Sequence, residues 1–285
     1  GGTLGQWNFD GKFPDGKLDR TNFLCGDHNN NGLSEIYFLT QYGRDSVYLN
    51  IVETIEDSTT FIKQRFIKTI NKADTIVNYK VSLNLLQDVN NDGYKDVIFI
   101  IDAGFSLQPR AIFIYDIKND SLTESHPSAS AKYDIKIADL DLNSVPEFIC
   151  STNSRGNIHD SMGIPYSDYS AWLMVYDNKL NYYFEPIAFN GHPAGINCEL
   201  VNDPNNDIQL YVLFSCYDKR GSTSNLSVFG KDGKLLKRRE ISNRFKNSCF
   251  LLLTNHDNNE KLSIVDRGGK IYSIDSKLEL SLYKD

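Results

Sequence analysis

Apolar runs of strand length alternate along the chain with short polar or acidic stretches. VSLNLLQ, DVIFII and AIFIYD, for example, are separated by DVNNDGYKD and by a polar connection. Runs of this length, rich in β-branched and aromatic residues and bounded by Asp, Asn and Gly, predict strands. The order strand, acidic loop, strand, connection, strand recurs down the chain. The third strand then closes on an acidic turn followed by lysine, seen at Asp116-Ile-Lys118, Asp177-Asn-Lys179, Asp232-Gly-Lys234 and Asp275-Ser-Lys277. Such turns lead into a fourth, outer strand, such as KLNYYFEPI or KLLKRREI. Helical periodicity is weak; residues 61 to 74, FIKQRFIKTINKAD, are the one helix candidate, and their β-branched content suits an outer strand equally well.

Aligning the chain on DVNNDGYKD at Asp88 finds DHNNNGLSE from Asp27, DLDLNSVPE from Asp139, and two degenerate copies from Asn202 and Asn255. The starts lie 61, 51, 63 and 53 residues apart, a period of one four-stranded propeller blade. The pattern therefore predicts an all-β fold, a β-propeller of about five four-stranded blades, or six if the N-terminal piece counts as one. The repeats fall near 21 to 75, 76 to 130, 131 to 192, 193 to 242 and 243 to 285, within a single domain over 1 to 285. Residues 1 to 20 carry the turn Asp10-Gly11-Lys12 without an acidic loop and read as an outer strand or half blade.

Composition adjusts this picture in three ways. A net charge of -7 and a pI near 5.3 argue against a nucleic-acid binder, which needs a basic face. No apolar run reaches the length of a membrane-spanning helix. The five cysteines (Cys25, Cys150, Cys198, Cys216 and Cys249) are odd in number, widely spaced and set in strand-like runs, so they read as buried free thiols. The opening Gly-Gly lacks a methionine, which leads us to expect that the natural chain starts upstream.

The acidic loops carry the clearest chemistry. Asp88, Asn90, Asp92 and Asp96 place a side-chain oxygen at alternate positions, with Gly93 after the third. An oxygen-only set on a short, flexible loop suits Ca²⁺ better than Mg²⁺ or Zn²⁺. The alternative is an acidic turn whose Asp and Asn side chains cap backbone amides with no metal. Asp27, Asn29, Asn31 and Glu35 form a second candidate set. Asp139, Asp141, Asn143 and Glu147 form a third, with Ser144 in the glycine position. Pro204, Leu210 and Ser263 take ligand positions in the last two copies, which read as empty turns.

These loops resemble the FG-GAP or VCBS type repeats of integrin alpha-subunit propellers and of many bacterial surface proteins. In that family an acidic DxDxDGxxD loop joins the first two strands of a blade. The resemblance implies structural calcium, with the carbonyl of Tyr94 as a further ligand in the second loop. The third repeat, with SDYSAWLMVYDNKL, is also similar to extracytoplasmic sensor regions of bacterial signalling proteins, which implies a periplasmic or cell-surface setting.

In each blade the connection from second to third strand leaves at the end away from the acidic loop. Each of these connections contains an arginine: Arg44, Arg110, Arg155, Arg220 and Arg267. Guanidinium forks bind carboxylate or phosphate. The third connection is long and adds His159, Tyr166, Tyr169 and Trp172, groups that suit a sugar or peptide surface; an aromatic lid is the alternative. The reading is a non-enzymatic, calcium-stabilised propeller that binds an extracellular glycan, peptide, other anionic ligand or protein partner. The competing reading is a lyase or hydrolase of anionic polysaccharides, with His159 and Tyr166 as the acid or base candidates.

Overall fold

A computed structural model describes residues 9, 11, 13, 23–42, 45–54, 60–70, 80–103, 107–158, 160–203, 207–216, 224–241, 250–256, 259–266 and 268–283. The chain is the all-β fold of propeller blades expected from its repeat. Twenty strands form five consecutive four-stranded antiparallel meanders. Blade one holds β1 (Phe23–Gly26), β2 (Glu35–Tyr42), β3 (Ser46–Thr54) and β4 (Thr60–Thr69), and blade two β5 (Lys80–Gln87), β6 (Asp96–Asp102), β7 (Arg110–Asp116) and β8 (Ser121–Glu124). Blade three holds β9 (Ala131–Ala138), β10 (Glu147–Ser154), β11 (Ser170–Tyr176) and β12 (Ile187–Asn190). Blade four holds β13 (Ala194–Asn202), β14 (Ile208–Cys216), β15 (Ser224–Gly230) and β16 (Leu235–Ile241), and blade five β17 (Phe250–His256), β18 (Asn259–Val265), β19 (Ile271–Ile274) and β20 (Leu280–Leu282). The acidic loops join first to second strands, and the Asp-x-Lys turns of blades two to five follow the third strands, as expected.

The blades pack in two compact units. One contains residues up to Ser128 together with Asn178–Leu180, and the other contains Ala129–Asp177 and Asn181–Asp285. In the first, Tyr37, Leu39, Leu49 and Ile51 of blade one meet Val97, Phe99, Ile101 and Phe113 of blade two. Strand β6 is buried on both faces, which explains its unbroken apolar run where a half-buried strand would alternate. In the second unit, Ile149, Leu173 and Val175 of blade three pack with Ile196, Val212 and Phe214 of blade four. Leu226 and Val228 then pack with Leu251, Ile264 and Tyr272 of blade five. Blades three and four are also joined through their backbones, because the end of β10 pairs with β13 at Asn153↔Gly195 and Ser154↔Ala194.

Three expectations change. The helix candidate over 61 to 74 is an outer strand through Thr69, paired to β3 from Ser46↔Thr69 to Thr54↔Thr60. In blade three the outer strand is not KLNYYFEPI but Ile187–Asn190. Leu180 takes a left-handed φ of 62°, Tyr182 and Tyr183 turn inward beside Tyr176 and Phe184, and Pro186 lacks a ladder donor, so regular pairing resumes only after it. Cys25 is exposed, because alternation along β1 sends Leu24 toward the core and Phe23 and Cys25 to the other face. Cys150, Cys198 and Cys216 are free and buried as expected, and Cys249 lies outside the described residues. Most of the N-terminal piece lies outside them too, although Phe9 and Phe13 pack edge-on or tilted against Phe38 at 4.9 and 5.7 Å.

Candidate functional site

The first three acidic loops are built on one hydrogen-bond pattern. In the second, Asp88 accepts the amides of Asp92 and Gly93 at 3.2 and 2.9 Å, and Asn90 Oδ1 also accepts the Asp92 amide at 3.0 Å. Asp92 Oδ1 accepts the Tyr94 amide at 2.9 Å, and Asp96 reaches back to the Val89 amide at 3.1 Å. In the third, Asp139 accepts Asn143 and Ser144, Asp141 accepts Asn143, Asn143 accepts Val145, and Glu147 accepts Leu140 at 2.7 Å. In the first, Asp27 accepts Asn31 and Gly32, Asn29 accepts Asn31, Asn31 accepts Leu33, and Glu35 accepts His28. The turn needs left-handed backbone at its fourth and sixth positions: Asn30 and Gly32, Asn91 and Gly93, Leu142 and Ser144. A Cβ on Gly32 or Gly93 would meet nothing within 4 Å, so glycine serves there for its φ and not for space. Ser144 adopts the same φ at a steric cost of about 1 kcal/mol.

The loops differ in how their carboxylates are balanced. In the third, oxygens of Asp139, Asp141 and Glu147 lie within 4.8 Å of one another. Burial, then the nearby Asp141 and Asp139, push Glu147 upward against the opposing pull of the Leu140 amide. In the second, burial and the neighbouring Asp116, Asp92 and Asp88 push Asp96 up to about 7, although the Val89 amide opposes this. Lys118 stands beside this loop, its ammonium 2.9 Å from the Asp92 carbonyl and 4.6 Å from the Tyr94 ring centre. In the first, the buried Glu35 Oε2 accepts the His28 amide and also lies 3.0 Å from His28 Nδ1, itself 2.9 Å from the Tyr37 hydroxyl. Glu35 is thus engaged by its own blade, unlike Asp96 and Glu147. Hard oxygen donors crowded against one another fit a divalent cation, which would relieve that repulsion. The second and third loops have this character most fully. The fourth loop closes through Asp203 and Asp207, with Asp203 Oδ1 accepting the Asp207 amide at 2.9 Å, and its tip and that of the fifth lie outside the described residues.

At the other end of the blades the arginines do not share one environment. Arg44, Arg220 and Arg267, with His159, lie outside the described residues. Arg110 is 0% exposed, at the head of β7 with its Nε 3.7 Å from Asp102, so its guanidinium is a buried group and not a surface fork. Arg155 is partly exposed, and its Nε donates to Asn153 at 3.2 Å.

The long connection of blade three is held by one carboxylate. Asp168 is 0% exposed and accepts the amides of Arg155, Asn157 and Ile158 at 2.9, 3.0 and 3.3 Å. Its backbone carbonyl accepts Gly156 at 3.0 Å. The Trp172 indole donates to the Ser167 carbonyl, and the Ser167 hydroxyl to Asp160. Tyr166 is packed edge-on between Trp172 and Tyr182, each 5.2 Å between ring centres. Tyr166 and Trp172 therefore serve as the floor of the connection. Tyr169 is exposed and meets the exposed His192 edge-on at 4.6 Å, with the Gly156 backbone against the same imidazole. Arg155, Tyr169 and His192 thus share one small surface. Sequence reading found the first two but placed His192 at a loop edge. Its signal was proximity in the fold, carried by the turn at Gly191 and invisible in spacing.

No family model and no curated protein matches the chain. Solved structures similar to it include the crystal structure of BBS1N in complex with ARL6DN, soaked with lead, at TM-score 0.48 and 10% identity, covering 93% of this chain and 69% of that one. The same complex soaked with mercury gives TM-score 0.45 and 8% identity over 97% and 83%.

Proposed function

We propose that the chain is a partner-binding propeller of FG-GAP or VCBS type, stiffened by calcium in its acidic loops and working outside the cytoplasm. The observation that carries the binding role is the Asp168-held connection of blade three. Three backbone amides on one buried carboxylate fix a long polar loop in place, and rigid placement of polar and aromatic groups is what recognition requires. The exposed groups there are a guanidinium, a phenol and an imidazole, a set that favours a ligand carrying carboxylates or other anionic groups beside an apolar or sugar face. In the BBS1N complexes the bound chain is a protein, and a protein ligand is compatible with such a surface.

Glycan and peptide arrays, followed by thermal shift with each hit, test this reading. Arg155→Gln and Tyr169→Ala are expected to weaken a true ligand tenfold or more while leaving the melting temperature of the free protein within a few degrees. A ligand whose affinity is indifferent to both substitutions would move recognition elsewhere on the molecule. Turnover of an anionic polysaccharide to ultraviolet-absorbing products would replace the binding role with a lyase.

A further inference from the structure

The outer strands of the blades are unequal. Those of blades two, three and five span only four, four and three residues. The ten-residue β4 has its cations matched, Lys63 and Arg65 to Asp120 and Lys68 to Glu124. Strand β16, LLKRREI, is seven residues long and exposed at every position but the last. It pairs with β15 on one side and ends its sheet on the other. In an antiparallel edge strand, alternate N–H and C=O groups then point outward along its length.

Its side chains are cationic in an acidic protein. From Lys231 to Ile241 there are Lys231, Lys234, Lys237, Arg238 and Arg239 against Asp232 and Glu240, in a chain of net charge -7. They straddle the edge. Lys237 and Arg239 lie on the blade-five side, near the Ser276 carbonyl and Glu279, while Arg238 lies on the other, with its Nε on the Ser227 hydroxyl and its guanidinium over Phe189. Leu235 and Leu236, about half exposed, precede them at a bulge. Charged edges normally repel further pairing. Here the repulsion is selective: a second copy of β16 would set cation against cation, whereas an acidic strand would meet opposite charge on both faces.

We propose that the free edge of β16 takes up an extended acidic peptide segment of a protein partner as a fifth strand of blade four. Backbone hydrogen bonds would hold the segment, and Lys237, Arg238 and Arg239 would select its carboxylates. A nucleic acid or an anionic lipid could meet the charges but could not continue the ladder. The site lies apart from the blade-three connection and needs no calcium, so it stands or falls separately from the function proposed above.

The test uses a fluorescent peptide alternating Glu and Val over ten residues, with capped ends, and the same peptide N-methylated at alternate amides. Expected are saturable anisotropy, slowed amide exchange at residues 235 to 241, and at least tenfold weaker binding of the N-methylated peptide. Lys237→Glu with Arg239→Glu should weaken the unmodified peptide at least tenfold with an unchanged melting temperature, while Tyr169→Ala leaves it unaffected. Any of three results overturns the proposal: no binding, equal binding of the N-methylated peptide, or binding of single-stranded DNA or phosphatidylserine vesicles as tight as the peptide. Exchange protection on the wild-type chain decides the matter if the double variant does not fold.

Discussion

At the scale of single residues, burial sorts groups that look alike in sequence. Arg110 and Arg155 occupy equivalent connections, yet one is sealed against Asp102 and the other reaches a surface with Tyr169 and His192. Cysteines divide in the same way. Burial pushes the Cys150 thiol up to about 12 and raises Cys198 as well, whereas Cys25 is exposed. Because the thiolate is the reactive form, a disulfide reagent at neutral pH should modify Cys25 rapidly and spare Cys150, Cys198 and Cys216 until denaturant is added. Cys25→Ser should remove that fast reaction; rapid labelling of Cys150 in the native protein would contradict its buried placement. Alternation along a strand says which residues share a face. It cannot say which face is covered, and that is why Cys25 was misread.

The element scale was the most legible. The acidic loop and the Asp-x-Lys turn recur because each solves one local problem, closing a hairpin with side-chain acceptors for otherwise orphaned amides, and such solutions leave their residues in order in the sequence. Blade three's outer strand was misplaced because its position depends on where Tyr182 and Tyr183 pack, a tertiary choice that overrides strand propensity. Asp168 was visible only as one acid among several, since its value lies in three amides that the fold brings to it. The shared loop geometry also sharpens the calcium expectation. Asp92→Ala should remove part of the rise in melting temperature that Ca²⁺ gives, and Asp92→Ala with Asp139→Ala should remove nearly all of it. A calcium response intact in the double variant, measured against a chelator control, would assign the loops to capping alone.

At the scale of the whole molecule, stability is shared among repeated sheets whose flat faces pack on their neighbours, with each compact unit owning its own apolar clusters. Acidic loops of the oxygen-rich kind occur in both units, the first two in one and the third in the other, so any stiffening by cations would act on each.

The backbone bonds that join β10 to β13 make blades three and four one continuous eight-stranded sheet. A sheet that shares its ladder cannot lose one half without exposing the orphaned amides of the other, so these two blades should open as one cooperative unit. Under native-state exchange, the slow amides of β10 and β13 should converge on a single opening free energy, and graded denaturant should release them together. Separate values for the two strands would mean that the shared pairs at Ser154 and Ala194 carry no cooperativity.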